Sequence, residues 1–218
     1  MSTIPGRFLT IEGIEGVGKS TQVARLSAGL NERGIAHVVT REPGGTPLAE
    51  RIREIVLDGA RGESLPPTAE LLLMFACRAQ NVDQWILPAL GQGQIVISDR
   101  FTDSTLVYQG VARGLGAELV YEVDRIACRG LVPDLTLVID IDTETGLKRA
   151  HNRNRATQDV ETRIDEQAVG FHRKVRDAYH HLAADEPRRV RLIDGGGDEA
   201  TVAEDVWEVV KPIVESSK

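Results

Sequence analysis

Apolar strand patterns alternate with helical patterns along this chain. Five short runs are rich in aliphatic and β-branched residues, at about 7–12, 36–40, 94–98, 135–141 and 190–194. Between these runs, apolar residues recur at the three- and four-residue intervals that predict helices. Strands that alternate with helices are typical of a parallel sheet, because each parallel connection must cross the sheet. The pattern therefore predicts an α/β fold, a five-stranded parallel sheet flanked by helices on both faces.

The helical segments are predicted between these strands. The first ends at about Arg33, where Gly34 stops it. The others are expected at about 47–58, 68–90, 117–129, 143–150 and 165–184, with a polar helix start at 101–110 and a last helix after 195–197. The segment 71–76 is apolar all round, so we expect it to be buried on every side or to lie at a subunit interface.

The segment 13–20, between the first strand and the first helix, reads Gly-Ile-Glu-Gly-Val-Gly-Lys-Ser. It fits G-x-x-x-x-G-K-[ST] in the strand–loop–helix context of a P-loop. Glycines let the backbone approach a polyphosphate, and the N–H groups at a helix start attract anions. Lys19 can reach the β- and γ-phosphates, and the Ser20 hydroxyl can hold Mg²⁺. A glycine-rich turn with a stray lysine is the alternative, but the flanks favour a site for a nucleoside triphosphate.

Composition and net charge limit the kinds of partner that we expect this chain to bind. The chain has 218 residues, a net charge of −7 and two well-separated cysteines, Cys77 and Cys128. We expect a single domain, with the P-loop at 13–20 and a lid at about 148–165, and with buried free thiols. The acidic balance argues against a nucleic-acid or anionic-membrane partner. No basic-then-apolar leader opens the sequence and no apolar run reaches ~18 residues, so we expect a cytoplasmic protein and no membrane partner.

Polar residues at strand ends are the next candidates, because ligands of open α/β sheets bind at the carboxyl edge. Asp99 ends the third strand and is followed by Arg100, which pairs a metal-orienting acid with a phosphate clamp. The fourth strand also ends in an aspartate, Asp140, so the assignment to Asp99 is a preference. Glu42 lies in the turn after the second strand, as a site residue or a solvated carboxylate. Arg53 on the next helix could point back over that turn or into water.

Two side-chain groups on helices could read a nucleotide. Phe75 and Arg78 share a face and could hold a flat base; the alternative is a core ring beside a surface charge. Ser104, Tyr108 and Gln109 could read a sugar or a base edge, with ordinary helix capping as the alternative.

A basic run follows the fourth strand. Lys148, Arg149, Arg153 and Arg155 fall within eight residues of an otherwise acidic chain. Such a run is commonly a solvated face. Beside a P-loop, the more specific interpretation of this run is a mobile lid that brings arginines onto a transferring phosphate. An RNA-binding element is a third interpretation, which the acidic net charge disfavours.

Taken together, these pieces resemble the bacterial thymidylate kinases over nearly the whole chain. The resemblance is carried by an ordered set of motifs: 12–21 (EGIEGVGKST), 40–46 (TREPGGT), 75–78 (FACR), 99–101 (DRF) with Ser104 and Tyr108–Gln109, and 133–136 (PDLT). It implies a P-loop NTPase fold with a short arginine-containing lid, and transfer of the γ-phosphate of ATP to dTMP in dTTP synthesis. It also implies Mg²⁺ and a homodimer.

The resemblance implies a role for each candidate residue. Phe75 would stack on thymine, with Arg78, Ser104 and Gln109 at its edges; Tyr108 would lie under the deoxyribose and Glu15 near its 3′-hydroxyl. Arg53 and Arg100 would clamp the acceptor phosphate, with Glu42 nearby, while Ser20 and Asp99 organise Mg²⁺. The ATP phosphates would be held by Gly13, Ile14, Glu15, Gly16, Val17, Gly18, Lys19, Ser20 and Thr21.

Position 16 separates two subtypes of this family. It is Gly in this chain, whereas some members carry a phosphate-binding Arg there. The chain resembles the subtype whose lid supplies the arginine, with Arg149, Arg153, Arg155 and Arg163 as candidates. Which of Arg153 and Arg155 acts at the γ-phosphate stays open.

Two rival functions remain on the sequence alone. The nearer is another nucleoside- or small-molecule-phosphate kinase on the same fold, from which only the base pocket separates this chain. The other is a P-loop switch or regulatory ATPase. A GTPase switch would normally carry Asn-Lys-x-Asp, and no Asn-Lys pair occurs.

Overall fold

The computed structural model describes residues 5–57, 65–157, 164 and 167–215. Its five strands are all parallel and lie in the order β2-β3-β1-β4-β5. Their bounds are β1 Arg7–Glu12, β2 His37–Arg41, β3 Ile95–Asp99, β4 Leu135–Asp140 and β5 Val190–Asp194. The sheet that the sequence predicts is therefore confirmed, strand by strand, to within one or two residues.

The helices alternate with these strands. They are α1 Lys19–Glu32, α2 Pro47–Leu57, α3 Pro67–Asn81, α4 Leu87–Gly91, α5 Thr102–Thr105, α6 Ala117–Ala127, α7 Thr143–Thr157, α8 Val169–Asp185 and α9 Glu199–Glu215, with π-helical stretches at Val82–Ile86 and Leu106–Ala112. Gly34, at φ 65°, follows α1 as expected. Both cysteines are buried and free, which confirms the prediction for their thiols.

The centre of the sheet forms the core. All but the first residue of β1 and all but the last of β4 are buried, as expected for parallel strands covered on both faces. The edge strand β2 is more exposed. This core includes a polar group, in which the Thr10 and Thr136 hydroxyls are 2.8 Å apart and Thr136 donates to the Asp103 carboxylate at 2.8 Å.

Two helix predictions were wrong. The expected continuous helix over 68–90 is interrupted by the π-helical stretch Val82–Ile86, because residue spacing does not distinguish α from π winding. The helix that begins at Thr143 does not stop near Ala150 but runs to Thr157, so the basic run is helical as far as the structure describes it. Of the predicted lid at 148–165, residues 158–163 and 165–166, Arg163 among them, lie outside the described residues. No helix among the described residues is both long and apolar enough to cross a membrane.

Candidate active site

A cavity of about 790 Å³ lies at the carboxyl ends of the central strands, beside the start of α1. Seven basic and five acidic side chains are among the described residues of its wall. The basic ones are Lys19, Arg41, Arg53, Arg78, Arg100, Arg149 and Arg153. The cavity is thus locally positive although the chain is acidic, which suits phosphate-bearing ligands.

The P-loop wraps one end of this cavity. Its three glycines have positive φ angles, 134° at Gly13, 74° at Gly16 and 95° at Gly18, a conformation that other residues rarely adopt. The ammonium of Lys19 donates to the Gly13 carbonyl at 3.1 Å and to the Ile14 carbonyl at 2.6 Å. Burial, with Arg100 nearby, lowers the pKa of Lys19 to about 8. Residues 15–21 line the cavity.

Ser20 and Asp99 meet at the same end. The Ser20 hydroxyl donates to the Asp99 carboxylate at 2.8 Å, across 79 residues of sequence. No cluster of three or more His, Cys, Asp or Glu side chains suited to a metal occurs in the described part of the chain. In nucleotide sites, Mg²⁺ is commonly bound by one or two protein oxygens, while waters and phosphate oxygens complete its coordination shell. One hydroxyl and one carboxylate meet that requirement. The residues present therefore fit Mg²⁺ brought with a nucleotide.

Arg100 lies at the centre of the site. It has φ 74°, and its guanidinium donates to Glu15 at 3.1 Å, to the Tyr108 hydroxyl at 3.2 Å and to Ser104 at 2.9 Å. The Tyr108 hydroxyl also donates to Glu15, at 2.7 Å. Four of the residues predicted from the sequence are thus brought into one hydrogen-bonded group. A cation held this firmly is oriented before any ligand arrives.

Glu15 is fixed from a second side by a residue that sequence analysis missed. His172 on α8 is fully buried, and its Nδ1 lies 3.0 Å from Glu15 Oε2. Burial raises the pKa of Glu15, but the hydrogen bond to His172 and the charges of Arg100 and Lys19 outweigh it and lower that pKa to about 2. Glu15 is therefore an ionised acceptor at neutral pH.

Glu12 forms a second buried carboxyl beneath Arg100. It accepts hydrogen bonds from the Phe101 N–H at 2.7 Å, the Tyr179 hydroxyl at 2.7 Å and the Ser104 hydroxyl. Burial raises its pKa to about 7, although the charge of Arg100 acts in the opposite direction. Glu12 stands in the motif at 12–21 but was assigned no role, and Tyr179 was not singled out.

The turn after β2 is tied to α3. Glu42 is buried, and it accepts from Arg78 Nε at 2.6 Å and from Asn81 at 3.2 Å. The alternatives of a solvated Glu42 and a surface Arg78 are therefore wrong, since both side chains are 3 % exposed. Arg53 points back over the turn, donating to the Pro43 carbonyl at 2.7 Å.

Phe75, the ring expected to stack on the base, lies deeper than the other residues of the predicted base pocket. Phe75 is 2 % exposed and is not among the described residues of the cavity wall; the Arg78 guanidinium covers it at 4.7 Å from the ring centroid. Ser104, Tyr108 and Gln109 do line the cavity. The base-stacking role of Phe75 stays a prediction.

The basic run divides along α7. Arg149 and Arg153 line the cavity, and Arg149 donates to the Gly195 carbonyl at 3.3 Å. Arg155 is exposed and is not in the described wall. Residues two apart on a helix point about 200° away from each other, which accounts for the difference.

Comparison with known proteins identifies thymidylate kinases as similar in sequence and in fold. The chain is 48 % identical over 200 residues to a thymidylate kinase of Pelobacter propionicus, with 91 % of each chain covered. It is 47 % identical over 205 residues to one of Synechococcus sp., covering 94 % of this chain and 95 % of that one. A solved thymidylate kinase from Ehrlichia chaffeensis superposes with a TM-score of 0.76 at 32 % identity, covering 94 % of this chain and 98 % of that one. The thymidylate kinase family model matches residues 11–206, and the chain therefore belongs to the thymidylate kinase family.

Proposed function

We propose that the cavity transfers the γ-phosphate of ATP to the phosphate of dTMP, giving ADP and dTDP. Membership of the family supports the overall reaction. The assignment of residues to a donor half and an acceptor half rests on one observation. The P-loop and Arg100, with side chains hydrogen-bonded to Arg100, line one continuous cavity. A donor phosphate on the loop and an acceptor phosphate on Arg100 would therefore face each other.

The donor half is built from the P-loop. Two of the three N–H bonds of the Lys19 ammonium go to the Gly13 and Ile14 carbonyls, which leaves the third for a phosphate oxygen. The start of α1 adds backbone N–H groups and partial positive charge. We expect residues 13–21 to hold the ATP phosphates in this way.

Ser20 and Asp99 are the groups that would hold Mg²⁺. With ATP bound, these two side chains would hold the ion beside the P-loop, where it would supply positive charge against the charge that develops during transfer. The hydrogen bond between the two side chains orients both toward the P-loop. No further protein ligand is required, because waters and the phosphates of ATP would supply the remaining oxygen ligands of Mg²⁺.

The acceptor half contains Arg53, Arg100 and Glu42. Arg100 is held by Glu15, Tyr108 and Ser104, so its guanidinium needs little rearrangement to bind a phosphate. We expect Tyr108 and Glu15 to contact the deoxyribose. The acceptor phosphate is already an anionic nucleophile, so catalysis requires positioning and neutralisation of charge and no general base.

The lid arginine is assigned to α7. Arg153 lines the cavity and Arg155 does not, which favours Arg153 at the γ-phosphate and Arg149 as a further ATP contact. Closure over the phosphates would exclude water and so limit hydrolysis of ATP.

We also propose that the protein works as a cytoplasmic homodimer. Large apolar side chains are exposed on α2, α3 and α6, among them Ile55, Leu72 and Ile126 at 59 %, 54 % and 74 %. Exposed apolar surface of this kind is typical of an interface. Sedimentation at micromolar concentration would test the dimer, and a monomer would refute it.

The test of the function is ADP formation from ATP and Mg²⁺, with dTMP, dUMP, UMP, dCMP, dGMP and AMP offered separately. We expect strong turnover with dTMP, weak turnover with dUMP and almost none with the rest. Preference for another monophosphate would overturn the assignment of the base pocket. ADP formation that ignores the acceptor would favour an ATPase.

A further inference from the structure

A buried carboxylate controls the orientation of Gln109 at the base end of the cavity. Gln109 is 2 % exposed and lines the cavity. Its amide Nε2 donates to Glu70 Oε1 at 2.6 Å. Glu70 lies in the first turn of α3, is 1 % exposed and is not itself part of the described cavity wall.

Glu70 is held in place by Arg113. The Arg113 guanidinium lies 3.5 Å from both carboxylate oxygens, and Arg113 is itself bound by Gln167 at 3.0 Å and stacked over Phe171. Glu70 Oε1 accepts from the Gln109 side chain, and in an amide only the NH₂ group can donate. Gln109 must therefore turn its NH₂ group toward Glu70, and its carbonyl oxygen points the other way.

Arg78 provides a hydrogen-bond donor in the same cavity, which complements the Gln109 carbonyl oxygen. Arg78 uses Nε on Glu42 and Nη2 on Phe101 and Thr105, whereas its buried Nη1 has no hydrogen-bond partner among the described residues. In that part of the chain no side chain or backbone group donates to the Gln109 carbonyl oxygen either. The pocket thus offers one fixed donor and one fixed acceptor to a planar ligand.

We infer that Glu70 is a positioning residue for base specificity, which fixes Gln109 as an acceptor and thereby selects thymine over cytosine. Thymine presents an N3–H donor and an O4 acceptor, which match the Gln109 oxygen and Arg78 Nη1. Cytosine presents an N3 acceptor and an amino donor, so both contacts would be mismatched. A site that leaves buried polar groups unpaired rejects a ligand strongly. This inference rests on the proposed function.

The experiment uses two substrates that differ only at this edge, dTMP and 5-methyl-dCMP. The ratio of their kcat/KM values is measured for the wild type and for Glu70→Gln, with ATP and Mg²⁺ saturating. A glutamine at 70 can donate or accept, so Gln109 is free to flip. We expect the ratio to fall by roughly 10²-fold, part of it through a gain with 5-methyl-dCMP. A loss shared equally by both substrates would overturn the inference.

Two controls separate orientation from general damage. Glu208→Gln makes the same chemical change at an exposed position of α9 and should leave the ratio unchanged. In a Gln109→Leu background, which lacks the amide, adding Glu70→Gln should not lower the ratio further. A further fall there would show that Glu70 acts by another route.

A second variant decides the matter if Glu70→Gln does not fold. Arg113→Met removes the guanidinium that contacts both Glu70 oxygens, so the carboxyl group can turn and no longer fixes the Gln109 amide. The substrate ratio of this variant should be lower than that of the wild type. A wild-type ratio in Arg113→Met would overturn the inference. Failure of the wild type to prefer dTMP would instead defeat the proposed function itself.

Discussion

Glu12 should make the stability of this protein fall as pH rises. Its side chain is fully buried at the end of β1, where it accepts hydrogen bonds from the Phe101 N–H and from the hydroxyls of Ser104 and Tyr179. Glu12→Gln keeps the size and an acceptor oxygen for the Phe101 N–H, and the two hydroxyls can accept from the new NH₂ group. The substitution therefore removes the titration with little change in packing.

The magnitude follows from the pKa. Burial raises the pKa of Glu12 from 4.5 to about 7 in the folded state. Between these values the folded protein holds a proton that the unfolded chain has lost, so the free energy of unfolding falls with rising pH. Over the full window the loss is about 3 kcal/mol, from about 1.4 kcal/mol for each pH step. Below pH 4.5 both states are protonated and the contribution is fully present.

The assay is urea unfolding of the wild type and Glu12→Gln from pH 4.5 to 7.5. Subtracting the two free energies cancels groups that titrate alike in both proteins. We expect the wild type to lose about 3 kcal/mol relative to the variant across this range, half of it by about pH 6. Glu208→Gln, at an exposed position, should show no such slope. A difference that stays constant with pH, or grows in favour of the wild type, would refute the reasoning.

Four further substitutions test the phosphate half of the site. Lys19→Ala should lower kcat by ~10³-fold or more with the chain still folded by circular dichroism, and full activity would contradict the P-loop assignment. Asp99→Asn should raise the half-saturating Mg²⁺ concentration by ~10-fold, which a titration of initial rate against Mg²⁺ measures. Arg153→Ala should lower kcat by ~10³-fold whereas Arg155→Ala should change it little; equal losses in single-turnover transfer would contradict the division of α7.

The sheet and the P-loop were predictable because their signals are local. Each strand is a short run rich in aliphatic and β-branched residues, and the loop motif stands between a strand and a helix. That Ser20 and Asp99 lie close together was also predictable, although 79 residues separate them in sequence. The reason is that parallel strands end at one edge of the sheet. Topology turned two local patterns into one spatial prediction.

The inner support of the site could not be predicted in the same way. His172 and Tyr179 reach Glu15 and Glu12 from α8, 157 and 167 residues away, and no spacing rule connects those positions. An isolated histidine or tyrosine on an amphipathic helix is indistinguishable from a core residue until packing is known. The orientation of the Gln109 amide likewise depends on Glu70, a residue with no motif of its own.

The glycine at position 16 has a structural reason that joins the P-loop to α7. A Cβ built on Gly16 would lie 1.9 Å from the Gly146 carbonyl oxygen and 2.9 Å from the Ala150 N–H, both on α7, and its φ of 74° already disfavours any larger residue. An arginine there would have to displace the helix backbone. The same close approach brings Arg149 and Arg153, one and two turns along α7, to the wall of the phosphate cavity. Under the proposed mechanism, the loop lacks its own arginine because the helix that supplies one is packed against it.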